Sequence, residues 1–200
     1  MAINLAKGQK IDLKKDNGSA LNDFCVGANW GAIEKKGFFG TKKEAVDLDL
    51  SVGLFDANKN LVKVVYFGDL RASGIQHSGD DRAGDTGGDD GLDNEVISIT
   101  LSSIDNNVDQ VVFVLNSFQG HDFATIPYAS IRLYEGTPSR VNSTFATYNI
   151  ASDSKFSGYV SMILGKLYRR NNEWKFSAIG EPTTDRRLED TLRTVNQRFL

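Results

Sequence analysis

Apolar and polar residues alternate with a period of two along most of the chain, and clusters of turn residues break the alternation at short intervals. This pattern predicts an all-β protein, a sandwich of two antiparallel sheets. Ile3 with Leu5, and Ile11 with Leu13, mark two short strands. Phe24, Val26, Ala28 and Trp30 line one face of the next, with Cys25, Gly27 and Asn29 on the other. Residues 34–44, EKKGFFGTKKE, read as a loop that carries Phe38 and Phe39 between two lysine pairs. Val46, Leu48, Leu50, Val52 and Leu54 then place a strand over 46–55, and Asp47, Asp49 and Ser51 fall on its opposite face.

Further strands are predicted over 61–67, 96–101, 111–115, 129–134, 144–150 and 159–168. The run VVFVL at 111–115 is apolar on both faces, as a strand in the middle of a sheet is. Gly165 marks a bulge or a close backbone approach. Residues 169–173 turn the chain into a hairpin partner that carries Trp174, Phe176 and Ala178. Only the end changes period. Leu188, Leu192, Val195 and Phe199 share one helical stripe, so 185–199 predicts a short amphipathic helix, capped among Thr183, Thr184 and Asp185 and docked on a sheet. No repeat or linker divides residues 1–200, and one domain is expected.

Charge changes this picture at one place. The formal net charge of −3 conceals seven carboxylates among the sixteen residues 80–95: Asp80, Asp81, Asp85, Asp89, Asp90, Asp93 and Glu95, opposed only by Arg82. Like charges at this density repel unless a cation lies among them, and hard divalent ions with oxygen ligands are suited to that role. Gly79, Gly84, Gly87, Gly88 and Gly91 let the backbone adopt positive φ and turn carbonyls inward. The stretch is therefore either a calcium site or a solvated acidic loop. It is no EF-hand: counted from Asp85, the glutamate stands one place early and no helices flank the loop.

Asp47 and Asp49 sharpen the first alternative. Aspartate is disfavoured in strands, and two on one face, roughly 6–7 Å apart, destabilise it unless opposite charge is near. Antiparallel return of the chain after 61–67 brings residues 77–95 back toward that face.

Other chemistries find little support. The single Cys25 excludes an internal disulfide framework and cysteine metal clusters, and it fits a reducing compartment. His77 and His121 lack the spacing of a zinc site, and no GxSxG elbow is present. No basic stripe points to nucleic acid, and neither a signal peptide nor a membrane span is expected, which makes a cytoplasmic location the default. Phe38 and Phe39 between lysines would suit a partner or an anionic membrane surface, or else tuck back onto the sandwich.

Several stretches together resemble the TerD-type tellurite-resistance and stress-protein family, and its TerZ-like and TerX-like members above all. They are DLDLS at 47–51, HSGDDRAGD at 77–85, GGDDGLDNE at 87–95, VVFVLNSFQG at 111–120 and LYRRNNEWKFSAIG at 167–180. The resemblance implies a β-sandwich that binds one or two calcium ions. The family's acidic motif falls on Asp47, Asp49, Asp80, Asp81, Asp85, Asp89, Asp90 and Glu95, with loop carbonyls at Gly79 and Gly84 as additions. It further implies a non-enzymatic role in a bacterial stress response, in the cytoplasm or peripheral to the inner membrane, with other tellurite-resistance or stress proteins as partners. The alternative from another class is a metal-dependent hydrolase built on the same carboxylates. Direct tellurite reduction would have only Cys25 to work with.

Overall fold

The computed structural model describes residues 3–4, 8–14, 18–37, 40–150, 154–171 and 173–200. Leu5, Phe38 and Phe39 lie outside them. In chain order the strands are β1 (Ile3–Asn4), β2 (Lys10–Asp12), β3 (Asp23–Trp30), β4 (Ile33–Gly37), β5 (Gly40–Glu44), β6 (Leu48–Phe55), β7 (Leu61–Val65) and β8 (Arg71–Ala72). They continue as β9 (Ile75–His77), β10 (Glu95–Thr100), β11 (Gln110–Ser117), β12 (Ala129–Thr137), β13 (Arg140–Asn149), β14 (Ser161–Arg170) and β15 (Glu173–Thr183), and one helix follows, α1 (Leu188–Arg198).

Two large sheets face each other. One has the order β1-β13-β12-β3-β10-β9-β8 and the other β2-β15-β14-β11-β6-β7. Both are antiparallel except where β1 joins β13 in parallel. The alternation explains the core between them. Phe24, Val26, Ala28 and Trp30 of β3 meet the face of β6 that carries Leu48, Leu50, Val52 and Leu54, all buried. Burial of such side chains supplies about 1.5–3 kcal/mol each for the larger ones, which sets the register of both strands.

The predicted central strand is β11, which is apolar on both faces because both are covered. Val111, Phe113 and Leu115 enter the main core, while Val112 and Val114 join Phe55 and Ile163 beneath Leu192 and Val195 of α1. A bulge interrupts the β14–β15 register between Ile163 and Gly165, and a Cβ on Gly165 would lie 2.6 Å from the Phe176 ring.

Three local expectations change. The strand over 46–55 begins at Leu48, and Ser51 and Phe55 on its second face are buried, because α1 packs over that side. Helix α1 starts at Leu188 rather than 185, with Arg187 at its N-cap and no side-chain capping bond. Asp185 instead accepts hydrogen bonds from the hydroxyls of Thr183 (2.8 Å) and Thr194 (2.9 Å), which fixes the approach to the helix. The lysine-rich 34–44 segment forms a separate two-stranded ribbon, β4 with β5, and not a loop. Beyond Ile33, which packs against the main core, its described residues carry no large apolar side chain, and cross-strand pairs such as Lys35 with Glu44 (2.6 Å) link the two strands.

Candidate metal centre

The acidic stretch connects β9 to β10, neighbours in the seven-stranded sheet. Its two ends are buried and tie that sheet to the other one. Strand β7 covers β6 only from Val52 onward, which leaves the backbone of Leu50 open on that edge. Glu95 and His77 fill the gap: Leu50 N–H donates to Glu95 Oε2 (2.7 Å) and His77 Nε2 lies 2.9 Å from Leu50 O. Because His77 Nδ1 accepts from Gly79 N–H (3.0 Å), the ring proton belongs on Nε2, where it donates to that carbonyl.

Between these ends the loop is pinned through its backbone. Val46 N–H donates to Ala83 O (3.1 Å), Asp85 N–H to Trp30 O (3.0 Å), and Trp30 Nε1–H to Val46 O (2.7 Å). Gly84 sits against the indole, where a Cβ would come within 2.5 Å, at a φ of +66° that favours glycine.

This threading sorts the carboxylates into two clusters. Oxygens of Asp47, Asp49 and Asp80 lie within 4.8 Å of one another, as do those of Asp85, Asp89 and Asp90. Asp47 and Asp49 are buried, whereas Asp80 is exposed. Asp47 Oδ1 is buried without a hydrogen-bond partner, an orphan acceptor of the kind a cation would satisfy. The pKa of Asp49 is pushed up to about 7, by burial first and then by the charges of Glu95, Asp47 and Asp80. Burial and Asp80 likewise raise Asp47, although Arg82 opposes the shift. The first cluster is thus an oxygen-only donor set with too little positive charge of its own.

The second cluster is better hydrogen-bonded. Asp89 Oδ1 accepts from Gly91 N–H (2.8 Å) and Asn29 Nδ2 (3.0 Å), which hold its carboxyl below the usual range. Asp90 accepts from Leu92 N–H (2.9 Å), and Asp85 accepts from Tyr128 Oη (2.8 Å) and Asn94 Nδ2 (3.1 Å). Burial, then the Asp85 bond, raises the Tyr128 phenol, which stays a donor.

Asp81 and Glu95 join neither cluster. Asp81 Oδ1 accepts from the N–H groups of Ala83 and Gly84, and Glu95 Oε1 accepts from Asp81 N–H (3.2 Å). Their bonds shape the loop that presents Asp80. Burial raises the carboxyl of Glu95 despite its bond to His77. Gly79, Gly84, Gly88 and Gly91 have positive φ, while Gly87 does not. Asp93 is removed from both clusters by an ion pair with Arg132 Nε (2.8 Å), and Arg132 also donates to Gly91 O (2.8 Å).

Sequence reasoning did not find Asn29, Asn94, Tyr128 or Arg132. Asn29 is the most informative of them, being 7% exposed with Oδ1 unpartnered beside Asp89. The signal available was its place on β3 opposite Trp30, on the face that the loop covers.

A model of the TerD domain matches residues 1–194. The stress response protein SCP2 of Bacillus subtilis (strain 168) is 38% identical, over 96% of this chain and 98% of its own length. The tellurium resistance protein TerZ of Serratia marcescens is 30% identical, over 94% of each. Among solved structures, a homologue of telluride resistance protein (TerD) from Streptomyces coelicolor A3(2) superposes with a TM-score of 0.65 at 16% identity, covering 84% of this chain and 94% of that one.

Proposed function

The chain belongs to the TerD domain family, whose curated relatives are tellurium resistance and general stress proteins, and we propose that it acts there as a non-enzymatic calcium-binding module. The observation that carries this reading is the first cluster: two buried aspartates and a third from the loop, with Asp47 Oδ1 unpartnered. Asp47, Asp49 and Asp80 would hold one ion. Asp85, Asp89 and Asp90, with the free carbonyl oxygen of Asn29, would hold a second. Asp81 and Glu95 position the loop, and the Gly79 and Gly84 carbonyls are additional donors.

Bound calcium supplies charge: two ions would carry the formal −3 to about +1, and so change which surfaces the protein attracts. The side chains answer by fixing residues 77–95 against β6 and Trp30. Partners in this reading are other tellurite-resistance or stress proteins, or an anionic membrane surface on the cytoplasmic side. The β4–β5 ribbon carries Lys35, Lys36, Lys42 and Lys43 toward such a surface, and Phe38 and Phe39 fall between those lysine pairs in the sequence.

Calorimetric titration with calcium, with magnesium as competitor, tests the reading. Saturable binding is expected, reduced by one ion in Asp80→Asn and by the other in Asp89→Asn. Heats indistinguishable from buffer would overturn it. A phosphatase and phosphodiesterase screen with several metals decides against the hydrolase alternative unless turnover appears and is lost in Asp47→Ala and Asp80→Ala.

A further inference from the structure

A cavity of about 830 Å³ opens between α1 and the outer face of the six-stranded sheet, beside β7. Leu61, Val64, Phe67, Phe118, Leu188 and Leu192 give it apolar walls. Phe118 is 62% exposed and meets Phe67 edge-on at 6.0 Å, so two aromatic rings stand at its margin in solvent.

The floor is polar and incompletely bonded. Ser51 and Asn116 are 1% and 5% exposed, and Ser51 Oγ and Asn116 Oδ1 are buried without a partner. One hydrogen of the Asn116 amide nitrogen is engaged with Thr191 Oγ1 (2.9 Å), and Asn116 Oδ1 remains as an open acceptor at the cavity. Buried acceptors left open in this way are rare and point to a donor that enters from outside.

The mouth is cationic. Arg186 and Arg187 are exposed and line it, and neither guanidinium forms an ion pair among the described residues. Arg193, by contrast, is held by Asp190 at 2.8 Å. Helix α1 begins at the same place without a side-chain cap, so its positive dipole end adds to the field, opposed by Glu189. A cavity of this volume, mostly apolar with a few convergent polar groups, has the form of a small-molecule site.

We propose that this cavity binds a small organic anion. Its apolar body lies between α1 and β7, its acidic group meets Arg186 and Arg187, and a hydroxyl or amine hydrogen donates to Asn116 Oδ1. Asp49 lines the cavity as well as the first carboxylate cluster, but the proposal does not rest on calcium and is tested without it.

Two fluorescent probes separate its elements: anilinonaphthalene sulfonate, which has an aromatic body, an amine hydrogen and an anionic group, and N-phenylnaphthylamine, which lacks the sulfonate. Both are titrated into the full chain in EDTA, with near-ultraviolet circular dichroism to show that the fold is intact. Each should saturate at one molecule per chain. The double variant Arg186→Gln/Arg187→Gln should weaken the sulfonate about tenfold and leave the neutral probe unchanged. Val64→Trp, which fills the cavity, and Leu61→Trp at its exposed rim should block both probes. Non-saturating binding, equal loss of both probes in the arginine variant, or full binding in both tryptophan variants would overturn the proposal.

Discussion

Replacing Asp49 by asparagine should stabilise the metal-free protein above neutral pH and destabilise it, relative to wild type, once calcium is present. Burial first, then Glu95, Asp47 and Asp80, move the Asp49 pKa from an ordinary 3.8 up to about 7. An interval of that width corresponds to about 4 kcal/mol. The sign follows from proton binding. Between these pKa values the folded chain keeps a proton on Asp49 that the unfolded chain has released. Stability from this group is therefore fully present below pH 3.8 and is lost as pH rises through about 7. Asp47 and Glu95 are raised as well and share the same field, so roughly half, about 2 kcal/mol, is what one amide recovers. In a chain of this length that moves Tm by about 4–8 °C. Thermal unfolding in EDTA should show the variant melting higher at about pH 8, with a smaller difference at about pH 5, and the order should reverse in saturating calcium. A variant that melts below wild type in EDTA at the higher pH would refute the argument, because it would mean that the buried carboxylate is already compensated.

Calcium at about 100 times its Kd should stabilise the wild-type fold by about 2.7 kcal/mol, and coincident melting curves in calcium and chelator would contradict the metal reading. Gly27→Ala places a Cβ 2.0 Å from Asp93 Oδ2, so it must displace the Asp93–Arg132 pair; a loss of about 1–3 kcal/mol is expected from urea unfolding, and an unchanged midpoint would show that the pair moves freely. Trp30→Phe leaves Val46 O without the indole donor, which should lower stability by about 1–3 kcal/mol and weaken calcium binding at Asp47 in the same titration; an effect on neither would detach Trp30 from the loop.

Strand identity was legible because a period of two is a property of the chain itself: Val46 through Leu54 can bury one side only as a strand. The β4–β5 ribbon was less legible, since its pairing rests on charge and carries no apolar alternation. In α1 the apolar stripe announced the helix, but its first turn depended on what Asp185 bonds, and its partners Thr183 and Thr194 are brought to it only by the fold.

The same division runs through the candidate site. Sequence alone determined that residues 80–95 concentrate seven carboxylates against one arginine, and that Asp47 and Asp49 share a strand face, because composition and alternation are local. Tertiary structure decided that these acids form two clusters and not one, that Asp93 belongs to Arg132, and that Asp81 and Glu95 bond to backbone. It also decided that Asn29 stands beside Asp89 and that Glu95 meets Leu50, residues 60 and 45 positions apart. Such contacts depend on which sheet edges are left open when the two layers close, and no local pattern records that.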